Sequence, residues 1–516
     1  MSIHDRLFCF MDHLKPTVMK FGGTSVGDVR AFERVAEIVS GQRELRPLVV
    51  VSAMSGMTNA LVESVRLAGA AKLRDAVAAL DPHFSRHLEV VESLISGEAG
   101  QTINGIDQAR KEVADLLTLI EKNSGLRTQA DHFETTPSSQ ESGPVANLNG
   151  KRVVALRDAV LAYGELLSSL LLAAVLRERG IAARQVDARN CIITDRDYGS
   201  ASPIMSVTAD RTRAQLGALF DQSLVPVLGG FIGSTLKGET TTVGRGGSDY
   251  TAAIVGSVLG AREIQIWTDV TGVLTADPRV VAEARTIPRL SYAEAAELAY
   301  FGAKVLHPKT IQPAVEGRIP VRICNSTRPK EAGTLVCAES EMTRHTVKAI
   351  AHKTGVTTVQ ITSARMLGAH GFLRALFEVF ARHRTIVDVV TTSEVSVSLS
   401  LDDAGALPAI VTELEALGTV RVEAECAIVC VVGEGLRGTP GIAARVFNTI
   451  SDINVTLISQ GASSINLTFA IEAARVSEAV NRLHEAFFVE DSVECQVSNE
   501  GREELSVSAT GQYHLR

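Results

Sequence analysis

The sequence predicts an α/β fold in which an open, largely parallel sheet is sandwiched by helices and two small α+β modules follow. Three observations carry that expectation. A chain of 516 residues is too long for one ordinary core. From residue 17 to about 337, short β-rich runs alternate with amphipathic helical patterns, the arrangement that builds parallel sheets covered on both faces. The remainder repeats: units at 356–403 and 427–474 each hold an apolar strand, a glycine loop, a helix and two further β-rich runs. Gly371 precedes Phe377 by six residues, and Gly441 precedes Phe447 by the same six.

Strand candidates in the first region are 17–21, 48–53, 191–194, 225–232, 263–267, 319–323 and 334–336. Apolar spacing predicts helices at 29–39, at 106–122 and at 155–179, the last stopped by Gly180. Ser291 and Glu294 read as a capping box opening a helix through Phe301. Residues 123–151, polar and rich in Ser, Pro and Gly, read as a loop, and 1–16 and 497–516 as terminal extensions.

Composition excludes several functions. A net charge of −8 with both signs interspersed, and 4% aromatic residues, argue against nucleic acid as a partner. Seven scattered cysteines without a C-x-x-C pair suit reduced thiols in a cytoplasm, not a disulfide framework or zinc site. No signal-peptide core opens the chain, and no uninterrupted apolar run nears the roughly 20 residues that span a bilayer, so no membrane partner is expected.

Chemistry concentrates first in Thr17-Val-Met-Lys-Phe-Gly-Gly-Thr-Ser-Val-Gly-Asp28. An apolar strand ends in Lys20, and Gly22, Gly23 and two hydroxyls lead into a helix. Glycines let a phosphate approach the backbone, and helix-opening N–H groups favour an anion. The lysine precedes the glycines, so this is not a Walker A loop. Colinear with it are Val51-Ser-Ala-Met-Ser-Gly-Met-Thr-Asn59, Tyr163-Gly-Glu-Leu166 and Thr241-Thr-Val-Gly-Arg-Gly-Gly-Ser-Asp-Tyr-Thr251. Ile266-Trp-Thr-Asp-Val-Thr-Gly-Val273 and Phe301-Gly-Ala-Lys-Val-Leu-His-Pro308 complete the set.

In this order the segments resemble the aspartate kinases. The tail segment Thr391-Thr-Ser-Glu-Val-Ser-Val397 resembles their monofunctional lysine-sensitive branch, and the paired units resemble tandem ferredoxin-like ACT domains. The resemblance implies an amino-acid-kinase-type catalytic domain at 17–340 and ACT domains at 345–425 and 426–496. It also implies ATP-dependent phosphorylation of the L-aspartate 4-carboxylate to 4-phospho-L-aspartate, the first step toward lysine, threonine and methionine. A carboxylate with a reference pKa of about 3.9 needs no general base. The obstacle is repulsion between anions, so positioning and charge neutralisation should carry catalysis.

On that resemblance Lys20 bridges the transferring phosphoryl group, and Asp249 orients Lys20 or the substrate amine. Aspartate is bound by Ser52, Thr58, Glu165, Arg245 and Ser248, with Glu165 at its ammonium and the planar fork of Arg245 on a carboxylate. Gly22, Gly23, Thr268, Asp269, Leu274, Arg279 and Lys304 join Lys20 around ATP; Leu274 stands where close relatives often carry tyrosine. Mg²⁺ bridges phosphate oxygens, with few dedicated protein ligands. Taken outside the motif, Glu165 reads as a solvated helix charge and Arg245 with Asp249 as an ion pair.

For regulation, the matching residues are Met366, Val387, Asp388, Thr392, Ser393 and Glu394, in a pocket that the resemblance places between ACT units of two subunits. Two acids there suit a cationic effector, lysine, and a pocket across a seam implies a homodimer or higher homo-oligomer. Ile386, Gly368 and Ala369 depart from polar residues found in lysine-inhibited relatives. The competing readings are a kinase for another carboxylate such as glutamate and a non-catalytic amino-acid sensor. Gly433-Glu-Gly435-Leu-Arg-Gly438 has dinucleotide-loop spacing, but Asp452 sits in a turn where an acidic strand end is needed, so a regulatory-module turn is expected.

Overall fold

The computed structural model describes residues 15–130, 144–302, 306–339, 346–461 and 463–490. They fall into two compact units, Met1–Gly272 with His307–Ala338, and Val273–Leu306 with Glu339–Arg516.

In the first unit the strands are β1 (Thr17–Phe21), β2 (Pro47–Val51), β3 (Ala183–Val186), β4 (Val225–Gly229), β5 (Glu263–Thr268), β6 (Val321–Asn325) and β7 (Thr334–Cys337). They run in the order β3-β4-β2-β1-β5-β6-β7, parallel except for β6 with β7. Central β1 pairs with β2 and β5 along both edges, and residues on both of its faces (Val18, Met19 and Phe21) are fully buried, which is why the strand reads as a nearly unbroken apolar run. The parallel arrangement gathers the carboxyl ends of β1, β2, β4 and β5 on one edge, where ligands of open sheets collect.

The longer helices are α1 (Val29–Gly41), α2 (Met57–Gly69), α3 (Asp81–Leu94), α4 (Ala99–Ala130), α5 (Pro144–Leu161), α6 (Tyr163–Glu178), α7 (Met205–Asp221) and α8 (Gly247–Leu259). Asp28 caps α1 by accepting the Ala31 N–H at 2.8 Å. The expected helix 155–179 runs through α5 and α6 without a break: Ala162 keeps right-handed helical angles (φ −60°, ψ −25°), and its N–H donates to the Asp158 carbonyl at 3.1 Å. The expected loop at 123–151 is partly helical, since α4 continues to Ala130 and α5 begins at Pro144. Residues 131–143 of it, and those of the terminal extensions at 1–14 and 497–516, lie outside the described residues. The expected strand 225–232 splits at Gly229-Gly230, and its second half, Ile232–Thr235, joins Ile193–Thr194 and Thr240–Thr242 in a separate small sheet. By length and composition the helix Arg152–Glu178 holds an 18-residue window apolar enough to cross a membrane, but 78% of that window is buried within the fold, as in a core helix.

The second unit is built on a six-stranded sheet of β8 (Ala349–Thr362), β9 (Val390–Thr392), β10 (Ser396–Leu401), β11 (Thr419–Val432), β12 (Val455–Gln460) and β13 (Asn466–Glu472). Its order is β9-β10-β8-β11-β13-β12, antiparallel throughout. The two repeats thus share one sheet, with their long strands β8 and β11 paired at its centre. Its helices are α9 (Tyr292–Tyr300), α10 (Phe372–Arg382), α11 (Leu407–Leu414), α12 (Ile442–Thr449) and α13 (Val476–His484). Gly371 and Gly441 open α10 and α12 with φ of 84° and 85°, a left-handed conformation that accounts for the glycine repeat. The capping box at Ser291 and Glu294 forms as the sequence predicts.

The G-x-G-x-x-G segment follows β11 as expected of a module turn. A Cβ on Gly433 would lie 1.8 Å from the Thr346 carbonyl oxygen, so its backbone is already packed against the chain where a pyrophosphate would have to approach. Asp452 is ion-paired with Arg475 and Arg482, which hold its carboxyl down to about 2.

Candidate active site

At the carboxyl ends of the central strands lies a cavity of about 310 Å³. It brings together Lys20, Ser52, Thr58, Glu165, Arg245, Ser248 and Asp249, residues that span 230 positions of sequence (249 minus 20 plus one). Each is placed by the start or end of an element. Lys20 is the penultimate residue of β1; Ser52 follows β2 and donates its N–H to the Phe21 carbonyl at 3.0 Å. Thr58 and Glu165 lie in the first turns of α2 and α6, and Ser248 and Asp249 in that of α8.

Lys20 Nζ lies 2.6 Å from Asp249 Oδ1, with side chains 11% and 17% exposed. The first turn of α8 also presents helix-opening N–H groups toward any anion there. The alternative pairing of Arg245 with Asp249 is not the one formed; Arg245 is exposed at the cavity wall.

Glu165 is not a solvated charge. Its residue is 4% exposed, its Oε1 accepts the Ala53 N–H at 3.2 Å, and its Oε2 is buried without a hydrogen-bond partner among the described residues. Burial pushes the carboxyl up to about 8, against the opposing pull of the Ala53 N–H. A buried acid facing a cavity with a free oxygen is suited to a cationic ligand group.

Close backbone approaches fix this arrangement. A Cβ on Gly230 would lie 2.6 Å from the Ser248 Cβ, and one on Gly229 would lie 2.9 Å from the Glu165 Cβ. Phe231, which the sequence reading missed, also lines the cavity and holds a φ of 65°, unusual for a bulky residue. Its N–H bonds to Thr251 Oγ1 at 3.1 Å and its carbonyl accepts the Val243 N–H at 3.0 Å. The signal was available: an aromatic directly after a glycine pair at a strand end.

Gly22 and Gly23 form the neighbouring turn, where the Gly22 N–H donates to the Trp267 carbonyl at 3.0 Å. Thr268 and Asp269 sit one strand over at the end of β5, tied to β6 by the Ser326 N–H on the Thr268 carbonyl at 2.8 Å; they do not line this cavity. Leu274 and Arg279 belong to the second unit, where Arg279 is 83% exposed and paired with Asp277 at 2.6 Å. Lys304 lies outside the described residues.

The expected effector residues all lie in the second unit. Met366 and Val387 pack against its core, while Thr392, Ser393 and Glu394 are exposed. Asp388, with a side chain 3% exposed, accepts the Tyr300 hydroxyl and lies 3.6 Å from Lys353 Nζ. Burial raises its pKa, and neighbouring Asp402 adds to the rise.

The amino acid kinase family model matches residues 15–325, and an ACT domain model matches 429–487. The chain is 38% identical over 479 residues to lysine-sensitive aspartokinase 3 of Escherichia coli, covering 91% of this chain and 99% of that one. It is 36% identical to the chloroplastic aspartokinase 3 of Arabidopsis thaliana, covering 92% and 82%. Among solved structures it resembles E. coli aspartokinase III in complex with aspartate and ADP (R-state), with a TM-score of 0.72, 36% identity and coverage of 92% and 100%. The lysine and aspartate complex of the same protein (T-state) also gives a TM-score of 0.72. With its kinase-type sheet, its converging site and its antiparallel ACT region, the chain belongs to the aspartokinases of the amino acid kinase family.

Proposed function

We infer that this chain transfers the γ-phosphoryl group of ATP to the 4-carboxylate of L-aspartate, and that lysine regulates it. The observation that carries this reading is one cavity holding a Lys20–Asp249 ion pair beside Glu165, a buried acid with an unpartnered oxygen. Glu165 takes the substrate ammonium, Arg245 grips a carboxylate, and Ser52, Thr58 and Ser248 add hydroxyls. The 4-carboxylate oxygen then attacks the γ-phosphorus as the bond to the β–γ bridging oxygen breaks, and ADP leaves with that electron pair. The transition state spreads negative charge over the transferring group, which Lys20 neutralises while Asp249 keeps its ammonium in place. Gly23 and the N-terminus of α8 offer backbone N–H groups to the phosphates, Gly22 lets them approach the backbone closely, and Thr268 and Asp269 stand toward the rest of the nucleotide. Mg²⁺ would enter with the nucleotide and add positive charge at its phosphates.

The effector reading rests on Asp388 and Glu394 near the Gly371 turn, together with Met366, Val387, Thr392 and Ser393. An arriving lysine ammonium replaces the partners that Asp388 has here, Tyr300 and Lys353. A homo-oligomer follows from a regulatory pocket placed across a subunit seam. Buried thiols at Cys191, Cys324, Cys426 and Cys430 suit a cytoplasmic enzyme. A non-catalytic sensor would have no use for Lys20, Glu165 and Asp249 in one cavity.

The test is hydroxamate trapping of the acyl phosphate with aspartate or glutamate, with and without lysine or threonine. Faster trapping with aspartate, suppressed by lysine, supports the reading; faster trapping with glutamate overturns the substrate, and suppression by threonine alone overturns the effector.

A further inference from the structure

Arg86 belongs to none of the binding residues above, yet its guanidinium joins the two loops that carry them. From α3 its Nη1 donates to the Ser55 carbonyl at 2.8 Å and its Nη2 to the Gly27 carbonyl. Ser55 lies between Ser52 and Thr58, in a turn closed by the Met57 N–H on the Met54 carbonyl at 2.9 Å. Gly27 ends the turn that begins at Gly22, whose carbonyl accepts the Ser25 N–H at 2.9 Å. These loops are packed edge to edge: a Cβ on Gly23 would lie 2.9 Å from the Ala53 carbonyl, and one on Gly27 would lie 3.7 Å from the Ser55 Cβ.

The base of the clamp is firm. Phe84, His87, Val90 and Val91 bury the inner face of α3. One turn before Arg86, His83 Cε1 would sit 3.3 Å from a Cβ on Gly56, a second contact with the Ser55 loop. A guanidinium is suited to this place because its planar fork presents two donors in fixed geometry, whereas a lysine ammonium is a compact charge on a flexible stem.

We propose that Arg86 is a positioning residue that couples the aspartate loop to the phosphate loop, so that each substrate strengthens the binding of the other. This rests on the assignment of Ser52 and Thr58 to aspartate and of Gly22 and Gly23 to the nucleotide phosphates. A ligand that orders one loop fixes its carbonyl, and Arg86 passes the constraint to the second. Coupling of this kind is reciprocal: ADP tightens aspartate by the factor by which aspartate tightens ADP.

The experiment measures aspartate binding by calorimetry with and without Mg·ADP, in the full chain and in its Arg86→Gln and Arg86→Lys variants. The expected result is a tightening of about tenfold by ADP in the unaltered chain, shrinking toward one in Arg86→Gln and intermediate in Arg86→Lys. KM for both substrates rises more than kcat falls, and the melting midpoint stays within about 3 °C, as for a change away from the core. A full coupling factor in Arg86→Gln overturns the proposal, as does no coupling in the unaltered chain or a loss that tracks a collapse in melting midpoint. Failure of the unaltered chain to phosphorylate aspartate at all would instead overturn the assignment beneath it.

Discussion

Lys20 and Asp249, 229 positions apart in sequence (249 minus 20), meet at 2.6 Å because the end of β1 and the first turn of α8 converge at one edge of a parallel sheet. The pair is mostly shielded from solvent, so the carboxylate both satisfies the ammonium and fixes where it points. An ammonium held in position before the nucleotide arrives costs no reorganisation during transfer.

Asp249→Asn keeps the shape and removes the charge. It should lower kcat/KM for phosphotransfer about 100-fold, the scale seen when one oriented electrostatic partner is lost. Initial-rate kinetics with saturating Mg·ATP check this, and a change of under threefold would count against an orienting role.

Glu165 gives a pH signature. Its carboxyl sits at about 8 in the fold and near 4.5 when unfolded. Between those values folding takes up a proton, so the acid costs increasing stability as pH rises. Glu165→Gln should therefore raise the melting midpoint more at pH 8 than at pH 5. A substrate ammonium favours the ionised acid, so aspartate affinity should improve from pH 6.5 to 8.5 in the unaltered chain. In Glu165→Gln affinity should be weaker and nearly flat with pH.

Gly230 tests the tightness of the scaffold. An alanine there places its Cβ 2.6 Å from the Ser248 Cβ and 2.7 Å from its Cα, pushing the start of α8 outward. Gly230→Ala should cost about 1–3 kcal/mol of stability, as overpacking does. It should also lower kcat about 100-fold, the scale of a 1 Å misplacement. Denaturant unfolding and steady-state rates measure the two effects separately.

Regulation is addressed by Glu394→Ala. Losing one exposed carboxylate from an acidic pocket for a cation should raise the half-inhibitory lysine concentration about tenfold, or about 1.4 kcal/mol. Unchanged inhibition would move the effector elsewhere.

Much of this was legible in the sequence where one local rule acts alone. β1 falls on the predicted residues 17–21 because burial on both faces writes an apolar run, and Ser291 with Glu294 announces its own cap. The cavity residues were legible as motifs, since glycines and charges recur beside each strand end. β3 escaped because Arg184 and Gln185 interrupt a four-residue strand near the sheet edge. The burial of Glu165 depends on β4 and the loop after β2, which helix spacing alone does not reveal. Arg86 looks like any charge on an amphipathic helix, and its two carbonyl partners are backbone atoms that carry no sequence signal.

The central claim is that fixed positive charge at Lys20 lets a carboxylate attack a polyanion. It is tested most directly by Lys20→Ala, with aspartate binding followed by calorimetry and acyl phosphate by hydroxamate trapping. The account predicts at least a ~1,000-fold loss of kcat while aspartate still binds within about tenfold of the unaltered chain. Turnover within tenfold of the unaltered enzyme, with Lys20 gone, would contradict it.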